Sequence, residues 1–184
     1  FSKKKKKKLV WFHGASVGEL LSVIPLIKQL EKDKKINQIL VTTTTLSSSK
    51  VFNNFKFKKT IHQFFPIDTN FHSKKFLNYW KPSLAIFIDS EIWPNMLLNI
   101  KKKSIPAILI NARITKKSFN RWKFFKYFAS ELFGCFIKSY PCNNETWKYL
   151  NYFGIKKKRS LGNLKFSQNN LKNLIIPMKL KKFI

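Results

Sequence analysis

Short apolar runs alternate with longer amphipathic stretches along this chain. The short runs read as buried strands: Leu9 to His13, Gln38 to Thr43, Ile61 to Phe65, Leu84 to Asp89, Ala107 to Asn111 and Cys135 to Ser139. Between them lie helix-like stretches: Glu19 to Lys32, Ser47 to Phe55, Asn70 to Trp80, Pro94 to Lys102, Phe119 to Phe133 and Glu145 to Phe153. In the first of these, Leu20, Val23, Ile24, Ile27 and Leu30 share one face, near the helical period. Gly154 reads as a helix C-terminal stop.

Strand and helix in alternation predict an α/β fold: a Rossmann-like, doubly wound parallel sheet covered on both faces. Ligands of such sheets bind beyond the carboxyl ends of the strands. That rule singles out four loops, His13 to Glu19, Thr42 to Ser49, Asp89 to Asn95 and Asn111 to Thr115. After Phe166 the pattern fades into the polar run Ser167-Gln168-Asn169-Asn170. We therefore expect one domain over 1–166, with 167–184 a linker or the start of a further domain.

Charge changes the picture. The chain has 184 residues, 44% of them hydrophobic, and a formal net charge of +29. That charge fits an anionic partner such as phospholipid, nucleic acid or a phosphorylated substrate. It equally fits a codon bias toward Lys, Asn, Phe and Ile, since Arg occurs only at Arg113, Arg121 and Arg159. So little Arg argues against reading of nucleic acid, which favours guanidinium forks. Two basic–aromatic runs, Phe55-Lys56-Phe57-Lys58-Lys59 and Trp122-Lys123-Phe124-Phe125-Lys126, still suit RNA stacking superficially; at helical spacing they also suit core packing or a membrane face. No apolar run reaches the roughly 18 residues of a membrane span, and the start, Phe1-Ser2 before Lys3 to Lys8, has no signal-peptide pattern. Lacking Met, it reads as cut from something longer. Cys135, Cys142, His13, His62 and His72 offer no metal spacing.

Two loops carry candidate chemistry. His13-Gly14-Ala15-Ser16-Val17-Gly18-Glu19 brings small residues and a helix N-terminus close to any ligand there. It lacks dinucleotide-fingerprint spacing, and Glu19 also reads as a first-turn charge favoured by the helix dipole. Asp89-Ser90-Glu91-Ile92-Trp93-Pro94-Asn95 places two of the chain's eight acidic residues at a strand end. If the strand continues, Asp89 and Glu91 share a face; pairing with neighbouring Lys is the competing reading.

These loops, with Thr42-Thr43-Thr44-Thr45, Asn111-Ala112-Arg113 and Gly162-Asn163-Leu164-Lys165-Phe166, resemble in order and spacing the signature motifs of the bacterial 3-deoxy-D-manno-octulosonic acid (Kdo) transferases. The resemblance runs from Leu9 to Phe166 and implies the N-terminal, acceptor half of a GT-B glycosyltransferase. It implies a membrane anchor before that half and a C-terminal CMP-Kdo domain after it, both outside this chain. The implied reaction is inverting transfer of Kdo from CMP-Kdo to the lipid A precursor, without metal or cofactor, at the cytoplasmic face of the inner membrane. Glu19 would be the proton acceptor. Asp89, where the family usually has Glu, and Lys165 would stabilise the transition state. Ser16, Gly18, Thr44, Glu91, Asn111 and Arg113 would contact substrate, Arg113 by gripping an acceptor phosphate unless it pairs with Asp89 or Glu91. The helix field is expected to keep Glu19 ionised, and the Lys-rich surface near Phe119 to Phe133 to face anionic lipid. No nucleic-acid partner is expected.

Overall fold

The computed structural model describes residues 8–156. Six strands, β1 (Leu9–His13), β2 (Gln38–Thr43), β3 (Thr60–Phe64), β4 (Leu84–Ile88), β5 (Ala107–Ala112) and β6 (Lys138–Pro141), form one sheet in the order β3-β2-β1-β4-β5-β6. Every pairing is parallel. The helices between and after them are α1 (Val17–Glu31), α2 (Leu46–Asn53), α3 (Asn70–Trp80), α4 (Pro94–Lys102), α5 (Lys116–Phe124), α6 (Lys126–Phe133) and α7 (Asn144–Tyr152). The expected Rossmann-like, doubly wound sheet is what forms.

Side-chain alternation along the strands divides the core in two. Trp11, Leu40, Ala85, Phe87 and Leu109 face one layer, with Phe76, Leu97, Phe133 and Phe153 from α3, α4, α6 and beyond α7. Val10, Phe12, Val41, Ile86, Ile88 and Ile110 face the other, under Leu20, Val23, Ile24 and Ile27 of α1 and Phe52 of α2. Burial on both faces explains why the strands read as continuous apolar runs.

Local chemistry starts and stops the helices. Ser16, Thr45, Thr69, Thr115 and Asn143 each accept a backbone N–H from three residues on, capping α1, α2, α3, α5 and α7. Trp93 precedes α4 and has no such side chain. There the Asp68 carboxylate reaches across to accept from the N–H groups of Asn95 at 3.1 Å and Met96 at 2.8 Å. Gly154 follows α7 at φ +76°, as a helix stop requires.

Most boundaries fall within two residues of the sequence reading, and two differ more. The stretch Phe119 to Phe133 is two helices, broken where Phe125 leaves helical backbone at φ −117° and ψ 47°. The break lets α6 turn Ala129, Leu132 and Phe133 into the core, while α5 buries no residue completely. The run beginning at Cys135 is first a buried turn, with Cys135 N–H bonded to Leu132 O and Phe136 N–H to Phe133 O. The Ile137 N–H reaches Ala107 O and the ladder with β5 runs from Lys138, so apolar character at Cys135 and Phe136 marks burial rather than strand.

Candidate active site

The chain leaves β1 for β2 and β3 on one side, then crosses to β4 on the other. The crevice between the β1 and β4 loops is therefore the switch point, where open α/β sheets bind ligands. The β1 loop brings Glu19 there, and the β4 loop brings Asp89 and Glu91.

Glu19 is half-buried in the first turn of α1. Its Oε2 accepts the Ala15 N–H at 2.7 Å and its Oε1 accepts the Ser16 hydroxyl at 3.0 Å. Ser16 in turn accepts the Glu19 N–H, making a reciprocal cap close to a capping box. Gly14 lies close beneath: a Cβ there would meet Ile88 Cδ1 at 3.1 Å and Glu19 Cβ at 3.2 Å, so both would have to give way slightly. Several neighbours besides the helix end act on Glu19. Burial pushes its carboxyl above the usual range, and the Glu91 and Asp89 charges push the same way, against the bonds from Ser16 and Ala15. The three acids thus act on one another.

Asp89 does not continue β4. It adopts φ +61°, so the chain turns there, and strand alternation does not place Asp89 and Glu91 on one face. Asp89 is 6% exposed. Its N–H bonds Ile110 O, and its carbonyl accepts the Arg113 N–H at 3.2 Å. The Ser90 hydroxyl lies 2.7 Å from Arg113 O and 3.2 Å from Asp89 Oδ1, which ties the β4 loop to the end of β5.

Among the described residues Glu91 pairs with a buried histidine and not with a lysine. Its Oε2 lies 3.1 Å from His13 Nε2 and accepts the Trp93 indole N–H at 2.7 Å. Burial lowers the pKa of His13, although the bond and charge of Glu91 oppose that shift. From sequence the histidines read only as lacking metal spacing, with no role given to His13 itself. The available signal was the place of His13 as the last residue of β1, directly before the small-residue loop.

The remaining candidates divide. Thr44 is exposed, and its hydroxyl lies 3.4 Å from Ala15 O. Gly18 is exposed with open space where a side chain would stand. Arg113 is exposed and, with Asp89, Ser90, Ser118 and Arg121, lines a cavity of about 350 Å³ between the acid loop and α5. Asn111 is 3% exposed at φ +52°, beneath the surface rather than in that lining. Lys165, its motif and the linker at 167–184 lie outside the described residues.

The two basic–aromatic runs also part company. Phe55 and Phe57 stack on each other and pack against the α1–α2 core. At the α5–α6 corner, Trp122 packs inward, but Phe124 is 85% exposed, Phe125 67% and Tyr127 93%.

Fold and site together define an α/β domain of the doubly wound class with an acid cluster at its switch point. A family model described as 3-deoxy-D-manno-octulosonic-acid transferase matches residues 1–168, and the chain belongs to that family. The transferase of Rickettsia prowazekii is 39% identical over 176 residues, covering 96% of this chain and 38% of that protein. The Haemophilus influenzae transferase is 27% identical over 168 residues, covering 90% of this chain and 39% of that protein. This chain thus spans well under half the length of the curated relatives it matches. Among solved structures, the UDP-GlcNAc 2-epimerase of Neisseria meningitidis aligns with a TM-score of 0.60 at 16% identity, covering 96% of this chain and 53% of that one. The likeness there is one of fold.

Proposed function

We propose that this chain is the acceptor half of a GT-B glycosyltransferase that moves Kdo from CMP-Kdo to the lipid A precursor, with inversion at the anomeric carbon. The convergence of Glu19, Asp89 and Glu91 at the switch point carries this reading, since most of the chain's charge is positive. Family membership supplies the sugar. Glu19 takes the proton from an acceptor hydroxyl as that oxygen bonds to the anomeric carbon and CMP departs with the bonding pair. A base must start deprotonated yet be basic enough to hold a proton, and the raised pKa of Glu19 suits that task. Asp89 and Lys165 stabilise the charge that develops during transfer.

Arg113, at the mouth of the cavity beside Asp89, holds an acceptor phosphate by a two-pronged contact. The exposed aromatics of the α5–α6 corner and the neighbouring Lys123 and Lys126 rest on anionic lipid at the cytoplasmic face of the inner membrane, where amphipathic rings and cations are both favoured. CMP-Kdo binds the other half of the enzyme.

Ligand mapping by NMR on this chain tests that division. Lipid A precursor in micelles is expected to shift the amides of 13–19 and 89–95, and CMP-Kdo to leave them in place. Shifts with CMP-Kdo alone would reverse the assignment of donor and acceptor halves.

A further inference from the structure

The side chains behind Glu91 form a line of hydrogen bonds from the core to the crevice. The Trp11 indole N–H, which can only donate, reaches Thr42 Oγ1 at 2.9 Å. The Thr42 hydroxyl keeps its own proton to give, and two acceptors stand near: His13 Nδ1 at 3.0 Å and Phe12 O at 3.4 Å. The shorter contact wins. His13 is fully buried and its pKa is lowered by that burial, so the ring carries one proton at neutral pH. An Nδ1 that accepts from Thr42 leaves that proton on Nε2, 3.1 Å from Glu91 Oε2. The opposite tautomer would give the proton to Thr42 Oγ1 at 3.0 Å, driving the hydroxyl proton onto the long 3.4 Å contact with Phe12 O, or to Thr42 O at 3.2 Å, a carbonyl that already accepts the Gly14 N–H. It would also set the Nε2 lone pair against a carboxylate oxygen. The ring has no freedom to escape this choice: Phe65 stacks on it at 3.9 Å between centroids, and the edges of Phe87 and Trp93 close the sides.

We propose that His13 is a positioning residue, held as the Nε2–H tautomer by Thr42 and Trp11, and that it fixes the Glu91 carboxylate beside Glu19. Trp93 completes the grip by donating to the same oxygen. The charged and titratable groups facing this point are His13 from β1, Glu19 from α1, and Asp89 and Glu91 from the β4 loop. A carboxylate fixed there adds to the basicity of Glu19, because it makes a second negative charge nearby less favourable. That catalytic consequence rests on the proposed role of Glu19 as base; the tautomer does not.

Long-range proton–nitrogen NMR of the imidazole reads the tautomer directly. The native protein is expected to show Nε2 protonated and Nδ1 bare at neutral pH. Thr42→Val, which keeps the shape and removes the donor, is expected to shift population toward Nδ1–H; Thr42→Ser is expected to retain the native tautomer. Carbon-13 titration of Glu19 is expected to move to lower pH in Glu91→Gln. In a full-length transferase with the same change, the acid limb of kcat/KM should move the same way. A native Nδ1–H tautomer, an imidazolium at neutral pH, or an unchanged tautomer in Thr42→Val overturns the proposal. Full turnover in Glu19→Gln would instead overturn the base assignment and leave the imidazole result standing.

Discussion

At the β1–β4 crevice, Glu19, Glu91 and His13 are each held by two or more hydrogen bonds. At the α5–α6 corner, Phe124, Phe125 and Tyr127 turn outward among lysines, and α5 has no completely buried residue. Under the proposed function the two regions serve opposite physical demands. Chemistry needs groups fixed to within a fraction of an ångström, so the crevice uses scarce acids with many constraints. A surface resting on a fluid layer needs apolar area and charge without fixed register, and under the proposed membrane contact the exposed Lys and Phe of the corner would supply both. Substitutions should therefore act on the crevice through geometry and on the corner through composition.

Short of removing the Glu19 carboxylate itself, the largest expected effect is at Gly14. Gly14→Ala sets a methyl 3.4 Å from Glu19 Oε2 and closer still to Glu19 Cβ and Ile88. Displacing the carboxylate should lower transfer on the order of a hundredfold in a full-length transferase. Steady-state assays showing activity within about threefold of native, far short of that factor, would mean the crevice tolerates misplacement and the contrast fails.

Asp68→Ala comes next. It strips two backbone N–H groups at the start of α4 of their acceptor and should cost about 1–3 kcal/mol of stability. Urea melts would report it, with α4 and the β4 loop exchanging amide hydrogens faster.

At the corner, Phe124→Ser with Tyr127→Ser should change stability by no more than about 0.5 kcal/mol, as exposed sites do. The same pair should weaken sedimentation with anionic vesicles several-fold. Lys126→Gln should remove about 1 kcal/mol of that binding. Equal binding to neutral and anionic vesicles would reject the electrostatic part, and unchanged binding in the double variant the aromatic part.

The smallest effect is electrostatic. Glu31 is desolvated, yet the Thr60 hydroxyl and the N–H groups of Lys58 and Lys59 together hold its pKa below the ordinary value. A lowered folded pKa contributes stability above the unfolded value, which is lost as pH falls through the folded one. Glu31→Gln should flatten the acid side of a stability–pH curve, and an unchanged slope would remove Glu31 from that account.

Much of this was legible in the residues because burial on both faces writes strands as apolar runs. The loops followed from topology, since carboxyl ends of parallel strands share an edge. What stayed hidden was contact across long separations. His13 meets Glu91 from 78 positions away, and Asp68 caps α4 from 27. Neither pair has a local spacing to detect. The break at Phe125 was hidden for a different reason: neither Gly nor Pro marks it, and it follows from where the α6 face must point. Asp89 likewise gives no sign, as an isolated residue, that it turns the chain instead of extending β4.

The central claim is that the crevice acid Glu19 removes the acceptor proton. Transfer of labelled Kdo from CMP-Kdo to lipid A precursor, measured for Glu19→Gln in a full-length transferase carrying this half, tests it most directly. Gln keeps the size of the side chain but is not a base at neutral pH. Turnover should fall by about 10² to 10⁴, with acceptor binding and circular dichroism nearly unchanged. Turnover within about threefold of native, well below the range expected for a lost general base, would contradict the account and leave Glu19 as the cap of α1.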